Sequence, residues 1–522
     1  MSLFSEMDDA FEAAPHPAQP SAKSTTALPP APDAPRRFRP IERNQPSWRL
    51  VDLERMIDES HPARAIWDFV GGLDLSLFEA KVRSVEGRAG RDAWPPRLLI
   101  SIWIYAYSRG ISSAREIERQ CAWEPGFEWL TGLQVVNYHT LSDFRVEHGE
   151  AMKELFEQVL TMLLMKRLIT LERVTVDGTK VRACVNKKTF SKPAKLRAHQ
   201  QVVQQHIEAI EADEARQELS ARQQAAQKRA ARERAERVRE ALDEVAELAA
   251  RKKHEKGKEP SASVTDPDAQ FMKTNDHGLA PAYNVQLVND SANGFIVDVA
   301  VSKLHSDAEH LAPALDRVAA SAGSYPQQVI ADGDYTNRRS IIAACDRGVE
   351  FYGSWRNNEV NQPGRGIDPR FAPSAFEYDP AANEVICPTG KRLVHIRINS
   401  GEGNRSIYVF AAAREDCQAC RMRKRCTPNN QMQKHGRAVS IPLEDERVEA
   451  FFARMETEEA KAIYRQRAPI AEFPNAWIKT KLNWARVRSR GLKRVAAEAI
   501  WPALTYNLQR YFAIARTQAQ TA

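Results

Sequence analysis

Residues 174–180, Val-Thr-Val-Asp-Gly-Thr-Lys, constrain this chain most. β-Branched apolar residues alternate with a polar one and then deliver Asp177, the pattern of a half-buried strand carrying one carboxylate near its end. Taken alone, the stretch also describes a surface Asp opening a turn before Gly178. Two later stretches shift the balance. Residues 329–335, Val-Ile-Ala-Asp-Gly-Asp-Tyr, read as a second apolar strand ending in carboxylates, Asp332 first. Glu472 sits in a helical, strongly basic region near the C-terminus. Two strand-end aspartates and a late helical glutamate are the material for one metal site assembled from distant segments.

The elements between these acids set the fold class. A strand over 283–288 leads through the hairpin turn Asn293-Gly294 to a partner strand over 295–301. A helix over 307–320, the Asp332 strand, a helix over 339–347 and a strand over 350–355 follow. Strand, strand, strand, helix, strand, helix, strand is the order of an RNase H-like mixed sheet, an α+β (or α/β) fold flanked by helices. In that sheet the first and fourth strands lie side by side, which would set Asp177 facing Asp332.

Residues 1–38 are rich in Pro, Ala and Ser, and bury too little apolar surface to offset their ordering entropy. They are expected to form a disordered arm, with the basic run Arg36-Arg37-Phe38-Arg39 at its end. The acidic first residues, with no apolar core after them, are not a secretory signal. Residues 39–168 are expected to form a helical DNA-binding domain. Pro95-Pro96 opens a helix over 97–108 that Arg109-Gly110-Ile111 breaks. Ser113 with Glu116 then offers a capping box for a short helix ending near Cys121. Helix, glycine turn, helix is the shape of a helix-turn-helix, a shape many all-α domains share. Thr140 with Asp143 marks a further helix start, leading into a long amphipathic helix through Phe156, Leu160 and Leu164.

Two insertions interrupt the expected sheet domain. In the first, over 190–262, residues 195–256 contain no Gly or Pro, and apolar residues recur at spacings of three and four. One straight helix there would run about 90 Å at 1.5 Å per residue, so an antiparallel, coiled-coil-like hairpin is expected. It would be a clamp on DNA or a partner, or else a solvated insertion. The second, over 357–445, is otherwise irregular and carries Cys387, Cys417, Cys420 and Cys426. Two cysteines separated by two residues can reach one tetrahedral Zn²⁺ from a tight knuckle, and the other two would complete a four-thiolate site. Structural zinc is favoured over free thiols, with His395 as a spare ligand. Seven cysteines in all, an odd number, do not suit a secreted disulfide framework, so a reducing cytoplasm is expected.

Charge concentrates late. Residues 461–494 hold ten Lys or Arg and one acid, Glu472. That block, including Lys481, Arg486, Arg488 and Arg490, is a candidate phosphate-binding surface. A solvated helix face is the competing reading, and the single embedded acid argues against it. Glu472 and Lys479 are seven apart and so share a helix face, though Pro469 and Pro474 are expected to break the helix locally. No apolar run reaches the roughly 18–20 residues that a membrane span needs.

These motifs together resemble the DDE transposases of bacterial insertion sequences. Beyond the N-terminal arm, the resemblance rests on Pro-Pro-Arg-Leu-Leu-Ile, Tyr-Ala-Tyr-Ser-Arg-Gly-Ile-Ser-Ser-Ala-Arg-Glu-Ile-Glu and His-Thr-Leu-Ser-Asp-Phe-Arg. It continues in Val-Asp-Gly-Thr-Lys, Tyr-Asn-Val-Gln and Ala-Asp-Gly-Asp-Tyr. It ends with Tyr464, Arg467, Glu472 and Lys479, then Arg490-Gly491-Leu492 and Tyr506-Asn507-Leu508. It implies a catalytic domain over 169–515, with Asp177, Asp332 and Glu472 holding Mg²⁺ or Mn²⁺ for strand cleavage and transfer. Tyr464, Arg467 and Lys479 would position the DNA backbone. The implied partners are double-stranded DNA, as element ends and target, and a second copy in the DNA complex. The implied place is the cytoplasm, at the nucleoid. Two features depart from the family pattern: Asp334 is a second acid where relatives often have Gly, and four residues separate Arg467 from Glu472, one more than the signature has. Trp355 is either a base-stacking residue or a core residue. A non-catalytic DNA-binding protein derived from such an element is the alternative function.

Overall fold

Six strands form the central sheet: β1 (Arg173–Arg182), β2 (Gln270–Thr274), β3 (Gly278–Asp290), β4 (Ile296–Ser302), β5 (Gln328–Ala331) and β6 (Glu350–Gly353). They belong to a computed structural model that describes residues 50–82, 84, 92–212, 220–251, 259–274, 278–355, 366–400, 406–427, 434–442 and 445–521. The arm expected over 1–38 lies outside these. Across the sheet the order is β4, β3, β1, β5, β6, with β2 pairing the first half of β3. β1 runs antiparallel to β3 and parallel to β5, so the sheet is mixed and the expected neighbours are adjacent. β3 is buried along almost its whole length, as befits a strand covered on both faces. Gly294, at φ +66, makes the β3–β4 turn where Asn293-Gly294 placed it.

The helices preceding the sheet share its core. α1 (Pro96–Ser108) is buried nearly all round, Arg97 and Ser108 excepted, so it is a scaffold helix. α2 (Ala114–Gln120) follows the turn at Gly110, whose φ is +72. Ser113 stands at the N-cap of α2, but its side chain makes no cap bond; Glu116 instead accepts from Gln120 and pairs with Arg119. The expected capping box is therefore not formed. α3 (Tyr138–Glu147) begins ahead of Thr140, because Asn137 Oδ1 accepts from His139 N at 2.8 Å and caps the helix first. A break at His148 separates α3 from α4 (Gly149–Met165), so the expected single helix is two.

The first insertion is a helical hairpin. α5 (Pro193–Ala212) and α6 (Ala221–Arg251) pack antiparallel: Leu196, early in α5, joins Ala241 and Val245, late in α6. At 31 residues, α6 spans about 46 Å. Its base is tied to the body by Glu244, which accepts from Gln270 at 3.0 Å and pairs with Lys303.

α7 (Leu311–Ala322) and α8 (Arg338–Asp346) flank β5 in sequence. α7 starts four residues later than expected, because Asp307 is drawn into the polar network described below. Trp355 is partly buried, edge-on to Phe452, with Arg338 over its ring at 4.9 Å; this is a packed tryptophan. The second insertion is not irregular. Strands Glu377–Asp379, Glu384–Ile386, Arg392–Ser400, Ser406–Ala412 and Ala438–Pro442 form an antiparallel sheet over a small core of Phe376, Val385, Leu393, Phe410 and Val439.

α9 (Arg467–Thr480) runs unbroken through both prolines. Pro469 falls in the first turn, where an N–H has no partner within the helix anyway. Pro474 gives up one helix bond but is buried with Ala471, Asn475 and Ile478, the face that packs on β1 and β3. α10 (Leu492–Thr521) closes the body. Its Trp501 lies against Trp103 of α1, ring centres 6.1 Å apart, and its Nε1 donates to Arg145 O. Both rings are fully buried in one continuous core that runs from α1 through the sheet to α10. Truncating either tryptophan would cost roughly 3–5 kcal/mol. Among the described residues, no helix is long and apolar enough to cross a membrane.

Candidate active site

The register of β1 and β5 sets the first two acids. The parallel pairing ends at Val176 opposite Ala331, so Asp177 comes next on β1 and Asp332 immediately after the end of the neighbouring β5. Asp177 is not at a strand end as expected; β1 continues to Arg182, held there by β3. It is β5 that stops. Beyond it the chain turns, with Asp332 Oδ1 accepting from Asp334 N at 2.8 Å and Tyr335 N at 3.4 Å. Asp334 is exposed, whereas Asp332 is half-buried.

α9 brings the third acid. Its buried Asn475 donates Nδ2 to Asp177 Oδ2 at 2.6 Å. One turn earlier, Glu472 stands at the rim with its side chain 67 % exposed. Arg467 bridges the two carboxylates, with Nη1 at 3.7 Å from Asp177 Oδ1 and Nη2 at 3.8 Å from Glu472 Oε1. The extra residue between Arg467 and Glu472 therefore does not part them. Burial pushes the Asp177 carboxyl up to about 6. Arg467 opposes that rise, while Asp332 and Asp307 add to it.

Sequence reasoning missed a second layer. Gly178 faces the other side of the sheet from Asp177, by the alternation of the strand. There Asp307 Oδ1 accepts from Asn284 Nδ2 at 2.6 Å, Gln286 Nε2 at 2.7 Å and Lys180 Nζ at 3.2 Å. Gln286 Oε1 in turn accepts from the Tyr335 hydroxyl, three residues after Asp332. A Cβ on Gly178 would fall 2.6 Å from both Asp307 Oδ1 and Gln286 Nε2, so this network requires glycine there. The signal was present in Tyr-Asn-Val-Gln: two polar residues at alternate positions of a strand otherwise apolar enough to be buried.

The remaining expected residues differ in exposure. Tyr464 and Lys479 are half-buried, and Lys481, Arg486, Arg488 and Arg490 are exposed. In the second insertion, Cys387, Cys417, Cys420 and Cys426 line one cavity. Backbone N–H groups of Lys391 and Arg437 lie 3.3 and 3.2 Å from the sulfurs of Cys387 and Cys417. His395 instead packs between Tyr408 and Phe410. Among the described residues, neither the three acids nor the four thiols are gathered closely enough to hold a metal ion as they stand.

A family model described as "Transposase DDE domain" matches residues 386–512, and one described as "Transposase domain (DUF772)" matches residues 51–147. Together the two matches support a DDE transposase of the insertion-sequence type. The first match takes in Glu472, the basic block and most of the cysteine-bearing sheet; the second takes in α1 to α3. Asp177 and Asp332 lie outside both, and it is the sheet register that sets them beside the matched helix α9. No curated protein matches the chain.

Proposed function

We propose that the transposase cuts DNA strands at the ends of its insertion sequence and joins them to a target by metal-dependent phosphodiester chemistry. Asp177, Asp332 and Glu472 would be the cation ligands. The observation that carries this reading is Arg467: a positive group already bridges two of the three acids, with the third beside them. Three carboxylates are hard oxygen donors, the set that suits Mg²⁺ or Mn²⁺. Cations held there would activate a water or 3′-hydroxyl and stabilise the leaving oxygen.

The chain's own groups do the rest. Asn475 fixes the orientation of Asp177 through one oxygen, which leaves the other facing Arg467. Tyr464, Arg467 and Lys479 hold the phosphate backbone in register, a contact that carries no sequence information. Lys481, Arg486, Arg488 and Arg490 extend that contact along the strand. Two copies would act on paired ends. The Asp307–Gln286–Tyr335 network stiffens the turn that carries Asp332.

For the second insertion, a structural Zn²⁺ is the reading for the four thiols that line one cavity, two of them with backbone N–H groups at the sulfur, and binding it would require the sulfurs to draw closer than they now stand. A non-catalytic DNA-binding role is the second reading. It is favoured by the spacing of the acids, none of which form a ready cation cluster among the described residues. Nicking of DNA bearing the element's ends, assayed with Mg²⁺ and with chelator, separates the two. Metal-dependent nicking supports catalysis, and binding without nicking supports the second reading.

A further inference from the structure

The segment joining α9 to α10 is built unlike an ordinary basic loop. Leu482, Trp484, Val487 and Ser489 are buried, while Arg486, Arg488 and Arg490 are exposed. Its backbone is held from beneath by acids. Glu498, fully buried on α10, accepts from Arg488 N at 2.8 Å, Ser489 N at 2.7 Å and Trp484 Nε1 at 2.9 Å. Asp266 accepts from Gly491 N at 3.0 Å, and Asp268 from Leu492 N at 2.7 Å. Gly491, at φ +84, turns the chain into α10. On the other side the segment is hydrogen-bonded to the end of β1: Arg182 N donates to Ala485 O at 3.0 Å, and Val487 N to Arg182 O at 2.8 Å.

The arginine side chains are also tethered. Their Nε atoms donate to Ala183 O from Arg486, to Cys184 O from Arg490 and to Ser112 Oγ from Arg488, at 3.1–3.3 Å. Each guanidinium has five N–H donors in a rigid fork, so four on each remain beyond the tethered Nε. Among the described residues these arginines form no ion pair, although three carboxylates lie under the same segment. A solvated basic loop would not be expected to direct its acids to backbone N–H groups, with Arg490 acting on Asp266 only through the field and not through a close ion pair. The result is a group of exposed positive forks, each tethered at Nε, whose ordering cost is already met before binding.

We propose that Glu498, Asp266 and Asp268 are positioning residues that pre-form this segment into a ledge for the phosphate backbone of one DNA strand, with Arg486, Arg488 and Arg490 as its contacts. The proposal deepens the DNA-processing reading above but does not depend on the three acids of the active site, so it is tested without metal.

The test is anisotropy binding of the full chain to duplex DNA in excess chelator over a range of salt. Each phosphate contact contributes about 0.9 to the slope of log affinity against log salt. The triple variant R486Q/R488Q/R490Q should therefore lose about 2.7 from the magnitude of that slope. Asp268→Ala should weaken binding several-fold and lower the slope with its melting temperature within a few degrees of wild type. Asp268→Asn keeps an oxygen that accepts from Leu492 N and should restore both. An unchanged slope in the triple variant, or Asp268→Ala binding like wild type, overturns the ledge. If Asp268→Ala fails to fold, the exposed triple variant alone decides. Strong wild-type binding with an unchanged variant slope defeats only the ledge. Wild-type protein that binds no DNA defeats the ledge and the DNA-processing reading together.

Discussion

The Arg467 guanidinium lies 3.7 Å from the Asp177 carboxylate, at the junction of α9 and β1. It pairs with half-buried Asp177 and also reaches Glu472. In the proposed mechanism this arginine holds DNA phosphate during the reaction and neutralises the carboxylates before it.

Arg467→Gln should therefore tighten Mn²⁺ binding in the absence of DNA. Removing a competing charge at this distance is worth on the order of tenfold in affinity, after the screening of a partly exposed pair. DNA cleavage should fall at the same time, because a phosphate contact is lost. Calorimetric titration of chelator-stripped protein checks this, and weaker Mn²⁺ binding in the variant would contradict it.

Asp177 is held up to about 6 by burial, against an ordinary 3.8. A raised carboxyl binds protons more tightly in the folded state, so this group's contribution makes stability fall as pH rises from about 4 through 6. At neutral pH its cost is about 3 kcal/mol, an order-of-magnitude figure. Asp177→Asn should therefore stabilise the metal-free protein at pH 7–8, with the gain shrinking as pH falls from about 6 to 4 and gone below that. Thermal melts in chelator across that range test it; a gain independent of pH would show that charge is not the cause.

Gly178→Ala should destabilise the protein by about 1–3 kcal/mol. The added methyl meets Asp307 and Gln286, both locked in hydrogen bonds, rather than the end of a free side chain. Denaturant unfolding measures the cost. A neutral result would show that the network behind β1 yields easily.

Much of this was legible in the sequence, for reasons that can be named. Residues 174–180 alternate cleanly, and the parallel pairing with β5 follows from the order of strands and helices. The hairpin at Asn293-Gly294 is local turn chemistry, and so was also legible. Asp307 was not, because nothing local separates a helix-opening Asp from one pulled across to Asn284 and Gln286. The Thr140 start failed because Asn137 competed for the same cap. The predicted break at Pro474 failed because tertiary burial outweighed one lost helix bond. The cysteine region looked irregular since its strands, some of only three residues, are too short to show a period.

Purified protein should carry about one zinc per chain, since four thiolates close one tetrahedral site. Elemental analysis of protein made without added metal checks this, with Cys417→Ser as the control that should lose the zinc and lower the melting temperature. A folded, zinc-free wild-type protein would exclude the assignment.

The most direct test of the central claim is nicking of a supercoiled plasmid carrying the element's ends, run in Mg²⁺ with wild type, Asp177→Ala, Asp332→Ala, Glu472→Ala and Asp334→Ala. The account predicts that each of the first three variants loses nicking yet binds DNA as well as wild type or better, since binding comes from Lys and Arg. Asp334→Ala should keep substantial activity, because Asp334 faces solvent beyond the turn that Asp332 caps. Wild-type nicking that persists in excess chelator, or any one of the three variants nicking at the wild-type rate, would contradict it.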